Sequence, residues 1–134
     1  MASTIFVNLP VRDLQKSIAF FTHLGYSFNQ HYTDDSATCM IVDENIFVML
    51  LTETRFKEFT PKAISDAHTS TEVLLCLQLA SREAVTALVA KAIEAGGSTY
   101  KEPQDHGFMY GHGYQDLDGH LWELVFMSGE PPKT

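Results

Sequence analysis

Apolar and polar positions alternate with period two over residues 5–11. Ile5, Val7, Leu9 and Val11 fall on one side of an extended chain, and Phe6 and Asn8 on the other. The period then changes. Asp13 stands at a helix-capping position, and Leu14, Ile18 and Phe21 recur at helical spacing until Gly25 offers a stop. Strand-like runs follow at 26–33, 37–42 and 46–52, separated by the turn-forming clusters Asp34-Asp35-Ser36 and Asp43-Glu44-Asn45. Residues 55–70 carry no clear period, apart from a short helix expected over 56–59. The pattern restarts with a strand at 72–79. Ser81 caps a second helix striped by Val85, Leu88, Val89, Ala92 and Ile93, and Gly96-Gly97 ends it. Strands at 108–115 and 120–127 flank a hairpin turn containing Asp118-Gly119, and 129–134 reads as a tail.

The two halves share one order: strand, helix, then further strands. Phe6 stands seven positions before the cap Asp13, and Leu74 seven before the cap Ser81. This points to an internal duplication. The expected fold class is α+β: two βαβββ modules forming a curved mixed-sheet cup, with helices on its convex face. Module one covers about 4–52, a linker 53–71 and module two about 72–128, all within one domain. Ile5, Val7 and Leu9, like Val73, Leu75, Leu77 and Leu79, are uniformly apolar and suit a helix-covered face. The opposite faces, with Phe6 and Asn8, then Glu72, Leu74, Cys76 and Gln78, mix polar and apolar groups as a ligand site does. In the last hairpin, setting Gln115 across from Leu121 puts Gly113 across from Glu123. Met109 and Gly111 then join the cup face, while His112 falls on the helix side with Tyr110, Tyr114 and Trp122.

The chain has 134 residues, 45% of them hydrophobic and 19% charged, which suits one globular domain with a real core. A formal net charge of −8 disfavours nucleic acid and anionic membrane surfaces as partners. No apolar run approaches the roughly 20 residues of a bilayer-spanning helix. The first residues enter a strand with no basic region and apolar signal segment before it, so a cytoplasmic location is expected. Cys39 and Cys76, far apart in apolar runs, are expected to be reduced, buried thiols. Nucleotide-binding glycine loops, a Ser-His-Asp order and paired zinc-type cysteines are missing from the sequence.

Glu123 is conspicuous, a carboxylate inside an apolar strand. Around it stands Asp116-Leu117-Asp118-Gly119-His120-Leu121-Trp122-Glu123-Leu124, and near the start Val11-Arg12-Asp13-Leu14-Gln15-Lys16-Ser17-Ile18-Ala19-Phe20-Phe21 with Leu24-Gly25-Tyr26. These resemble the patterns D-P-D-G-[HN]-x-[LIW]-E-[LIV] and V-x-D-L-x-x-S-x-x-F-Y with L-G-[FY] of the vicinal oxygen chelate superfamily. That group includes glyoxalase I, bleomycin- and fosfomycin-resistance proteins and extradiol dioxygenases. Phe21 and Leu117 depart from the usual Tyr and Pro. The resemblance implies a divalent metal in the cup, held from two strand positions per module and polarising the substrate's oxygens. Those positions fall here on Phe6, Leu50, Leu74 and Glu123, and only Glu123 offers a donor. None of His23, His31, His68, His106, His112 and His120 occupies one. The expectation is therefore a small-molecule binder without the family metal and with no other cofactor. Phe6, Leu50, Leu74 and Met109 would supply contact area, and Asn8, Gln78 and Glu123 orientation. Cys76 stands on the same face, and Gly111 and Gly113 would leave room for a flat or bulky ligand. Glu123 is also the candidate acid or base. The alternative is a metal-dependent isomerase of the lactoylglutathione lyase type, or a dioxygenase-like enzyme, with a divalent metal on Glu123. The resemblance further implies a homodimer.

Overall fold

The structure, a computed structural model, describes residues 1–130. The first compact unit is Met1–Ser65 and the second begins at Asp66, inside the expected linker. Unit one runs β1 (Ile5–Val11), α1 (Leu14–His23), β2 (Ser27–Asn29), β3 (Ala37–Asp43), β4 (Ile46–Thr52) and a short α2 (Glu53–Phe56). Unit two runs β5 (Leu74–Gln78), α3 (Arg82–Glu94), β6 (Gln104–Asp105), β7 (Met109–Gln115) and β8 (Leu121–Met127). The strand orders are β1-β4-β3-β2 and β5-β8-β7-β6, two open, curved sheets of identical topology. In each, the first strand pairs in parallel with the last and the remaining pairs are antiparallel. The α+β class and the duplicated βαβββ module are thus present.

Local chemistry explains the helix limits. The Asp13 carboxylate accepts from the Lys16 N–H at 3.1 Å, and the Ser81 hydroxyl from the Ala84 N–H at 3.0 Å. Gly25 and Gly96 follow the two helices with φ of 105° and 106°, a region that favours glycine. α1 buries Leu14, Ser17, Phe20 and Phe21, while α3 buries Val85, Val89 and Ala92. Ile93, expected in the second stripe, is exposed at its rim.

Several boundaries differ from the sequence pattern. The strand expected over 26–33 stops at Asn29, whose side chain accepts from the His31 N–H at 3.0 Å and turns the chain into a single 3-10 turn, Gln30–Tyr32. The short helix sits at Glu53–Phe56 rather than 56–59, because the Thr52 hydroxyl accepts from the Arg55 N–H at 3.3 Å. β6, two residues long, has no periodic signature. The tail expected over 129–134 lies, from 131 onward, outside the described residues.

Within unit one, Leu9, Val11, Val48, Leu50 and Met40 form one wholly buried row. Leu50 pairs with Leu9 and Thr38, whereas Phe6 and Asn8 pair with Phe47 and Met49. Leu50 therefore does not share the face of Phe6 and Asn8, and its place on the ligand face is corrected. Strand parity decides this, since one position along a strand reverses the side chain. Within unit two the core joins Val85, Val89 and Ala92 to Tyr114, Trp122 and Leu124. The Tyr114 and Trp122 rings stack with centroids 6.0 Å apart and planes 11° from parallel.

Candidate functional site

Glu123 owes its position to the turn that precedes it. Asp116 is buried, and one of its carboxylate oxygens accepts from the backbone N–H of Asp118 at 2.9 Å and of His120 at 3.0 Å. The other accepts from the Trp122 indole N–H at 3.0 Å. Burial pushes the Asp116 carboxyl above its ordinary range, against the opposing pull of His120 and of these hydrogen bonds. Gly119 completes the turn at φ 90°, where a Cβ would lie 2.7 Å from the backbone of Ala67 and His68. The motif's first carboxylate is thus a structural clamp. It fixes Trp122 inward, and alternation then turns Glu123 to the opposite, open face.

On that face Glu123 pairs with Cys76 of β5 on one side and Gly113 of β7 on the other. The hairpin register is the one read from the sequence, with Gln115 opposite Leu121. Leu74, Cys76 and Gln78 align with Leu121, Glu123 and Val125, while Gly111 and Met109 align with Val125 and Met127. Two residues with no sequence motif complete the arrangement. The Lys101 ammonium lies 3.2 Å from Glu123 Oε1, and the Glu123 side chain is 18% exposed. Tyr100 lies over Gly113, where a Cβ would meet its hydroxyl at 2.5 Å. The room expected over Gly113 is therefore taken by the protein's own phenol. At Gly111 a Cβ would sit in ordinary contact, 3.6 Å from the Leu124 carbonyl oxygen and from a Val125 methyl.

A backbone bridge and a side-chain contact hold the segment carrying Tyr100 and Lys101 against β7. Ser98 bridges Gln115, and His112 Nε2 lies 3.1 Å from the Lys101 carbonyl oxygen. His112 is half-buried on the Trp122 side of the hairpin, as the parity predicts, while His31 and His106 are exposed. The Tyr100 hydroxyl is buried beside Glu123 without a regularly aligned hydrogen bond. Burial first, then the Glu123 carboxylate and Cys76, hold the phenol far above its ordinary value, so it stays protonated. Neighbouring protein atoms that partly shield the thiol, together with the Glu123 charge, raise Cys76 although its side chain is exposed, which makes it a poor nucleophile. Both cysteines are free. Cys39 is buried as expected, but Cys76 is exposed, because its strand faces the open side of the sheet.

In unit one the corresponding face carries Phe6, 53% exposed and stacked on Phe47 at a centroid distance of 5.0 Å, with Asn8 exposed beside it. The sequence-selected residues thus fall into two groups. Leu74, Cys76, Gln78, Met109, Gly111, Gly113 and Glu123 share a face of the second sheet, and Phe6 and Asn8 one of the first.

The family model of the Glyoxalase/Bleomycin resistance protein/Dioxygenase superfamily matches residues 5–124. The chain belongs to that superfamily. Among solved structures, a hypothetical protein from S. aureus is similar at 28% identity, with 94% of each chain covered and a TM-score of 0.80. A glyoxalase-related enzyme from Fulvimarina pelagi shares the fold at 16% identity and a TM-score of 0.82, over 100% of this chain and 94% of that one. So does a genomically encoded fosfomycin resistance protein from Listeria monocytogenes, at 17% identity and a TM-score of 0.68, over 100% and 96%. No curated protein matches the chain.

Superfamily membership makes the donor set at Glu123 the chemical question. Among the described residues, no group of three or more His, Cys, Asp or Glu side chains is placed to hold a metal ion. Leu74 stands at one end of β5, Gly113 has no side chain, and the Cys76 thiol is disfavoured as a thiolate. An ammonium already neutralises the carboxylate. These groups do not fit a divalent cation, which needs several anionic or neutral N, O or S donors.

Proposed function

We propose that this superfamily member binds a small molecule on the open faces of its sheets and does so without the family's divalent metal. The observation that carries the reading is the Lys101–Glu123 ion pair, 3.2 Å long, at the one motif position that keeps a donor. The lysine supplies as a fixed part of the chain the positive charge that a metal would otherwise bring. Around the pair, Leu74 and Cys76 are exposed, and Leu121 and Val125 half-buried. In unit one, Phe6 adds an exposed aromatic surface on a face that also carries Asn8. Apolar area interrupted by a few polar groups is the composition of a small-molecule site. Glu123 and Gln78 would orient the ligand there, with the alignment of β5 and β8 placing them on one side.

Elemental analysis of protein purified without chelator tests this. The expected outcome is no stoichiometric zinc, nickel, iron or manganese, and no saturable heat on titrating Zn²⁺ or Mn²⁺. Stoichiometric metal that is lost in Glu123→Gln, with an unchanged circular dichroism spectrum, would overturn the reading.

A further inference from the structure

Ser98 bridges Gln115 and Gln104 pairs with Gly111, both antiparallel along one edge of β7. Between these two points the outer segment has five residues, 99–103, and β7 only three, 112–114. A regular ladder opposes equal numbers, so the outer segment has residues in surplus and must bow out of the sheet. Its ends are fixed. Two backbone hydrogen bonds join Ser98 and Gln115, at 3.1 and 2.7 Å. At the other end Arg82 grips Asp105 at 2.7 and 3.1 Å and the Gly107 carbonyl oxygen at 3.3 Å, with its guanidinium 5.2 Å from the Tyr110 ring centre. Between them the backbone of 99–103 has one hydrogen-bond partner among the described residues, the His112 ring at the Lys101 carbonyl oxygen. That oxygen only accepts, so Nε2 is the donor. Side chains supply the remaining hold. Residues 98–107 are exposed except for Tyr100. Its hydroxyl is buried over Gly113 beside Glu123, and the Lys101 ammonium lies 3.2 Å from Glu123 Oε1. The Glu123 side chain is left 18% exposed, although its cross-strand neighbour Cys76 is exposed. A segment with fixed ends, few backbone hydrogen bonds and a single inward anchor opens at lower cost than the ladder around it.

We propose that residues 99–103 form a strap that covers Glu123 with Tyr100 and Lys101 and lifts, on hinges at Ser98 and Gln104, to open this face of the second sheet. His112 is the pin that holds it closed. The proposal rests on the metal-free binding reading and adds its regulation: ligand reaches Glu123 only when the strap is lifted. Because both ends stay bonded, lifting gives up the Tyr100 and Lys101 contacts and the His112 hydrogen bond, and leaves the sheet intact.

Carbodiimide activation of the whole chain, with EDTA and an excess of glycinamide, tests it at Glu123. Under a closed strap the activated carboxylate meets the Lys101 amine and forms an internal amide. Under a lifted strap it takes glycinamide. Peptide mass spectrometry gives the ratio of the two products, with the exposed Glu44 as the reference for free labelling. The parent is expected to give mainly the internal amide. His112→Phe should raise the glycinamide share about fivefold, the worth of one hydrogen bond. Relaxation-dispersion NMR of the parent should show exchange in 99–103 and none in 104–107. Three results would each overturn the strap: an unchanged product ratio in His112→Phe with the parent's circular dichroism spectrum, Glu123 labelled as fast as Glu44 in the parent, or exchange absent from 99–103 or equal in 104–107. Should His112→Phe fail to fold, Tyr100→Ala removes the cover and leaves the pin. It is expected to raise the glycinamide share, and an unchanged share would overturn the proposal. Neither measurement uses a metal or a ligand, so a rigid strap overturns this proposal alone, whereas stoichiometric bound metal overturns the reading beneath it.

Discussion

Gly111 and Gly113 occupy the same strand two positions apart, yet their surroundings differ in kind. A Cβ on Gly113 would lie 2.5 Å from both the Tyr100 hydroxyl and the Trp122 carbonyl oxygen. At Gly111 the nearest atoms are 3.6 Å away. Gly113→Ala should therefore destabilise by about 1–3 kcal/mol through overpacking against backbone. Gly111→Ala should be neutral, or stabilise by up to about 1 kcal/mol by restricting the unfolded chain. Urea denaturation of the two variants checks the contrast, and equal effects would contradict the close approach of the Trp122 carbonyl and the Tyr100 hydroxyl to Gly113. The sequence singled out both glycines but not their difference, because one of the two close neighbours of Gly113, Tyr100, lies thirteen residues earlier in a segment without periodicity.

At the scale of elements, much of the molecule is set by local chemistry. Asp13 and Ser81 each satisfy an otherwise unpaired N–H at a helix start. Each cap is expected to contribute about 1 kcal/mol, and Asp13→Ala and Ser81→Ala should lower the urea midpoint by similar amounts. The sites lie in different units, so their effects should add. Both caps and both glycine stops were legible in the sequence, as was the register of the last hairpin. Less legible were elements whose limits depend on a competing side chain, such as the end of β2 at Asn29. β6 is shorter still, and it exists because Gln104 and Asp105 meet Gly111 and Tyr110 across the sheet edge. Arg82 braces that edge with two hydrogen bonds to Asp105, at 2.7 and 3.1 Å.

For the whole molecule, the raised phenol of Tyr100 links stability to pH. Its folded pKa exceeds the ordinary value of 10.0, so above that pH the native state holds a proton that the unfolded chain releases. Stability should therefore fall as pH climbs past about 10, the unperturbed tyrosine value. Tyr100→Phe should flatten that fall while leaving stability near neutral pH unchanged or raised. Denaturation midpoints measured at intervals from pH 8 to about 11 would show it. A variant with the parent's alkaline slope would mean that Tyr100 is not the group responsible. Among the described residues, no helix is long and apolar enough to cross a membrane.

The sequence by itself determined the duplicated βαβββ order, the caps, the alternation that turns Glu123 away from the buried Trp122, and the superfamily motif around it. All of these are local: periodicity, turn chemistry and short spacings act within a few residues of one another. Only the tertiary structure decided that Leu50 sits on the buried row, that Tyr100 fills the space over Gly113, and that Lys101 is the partner of Glu123. Each of those depends on segments distant in sequence converging on one face, and the irregular stretch that delivers Tyr100 and Lys101 carries no pattern announcing where it will lie. The carboxylate was legible, but the cation that meets it was settled by packing.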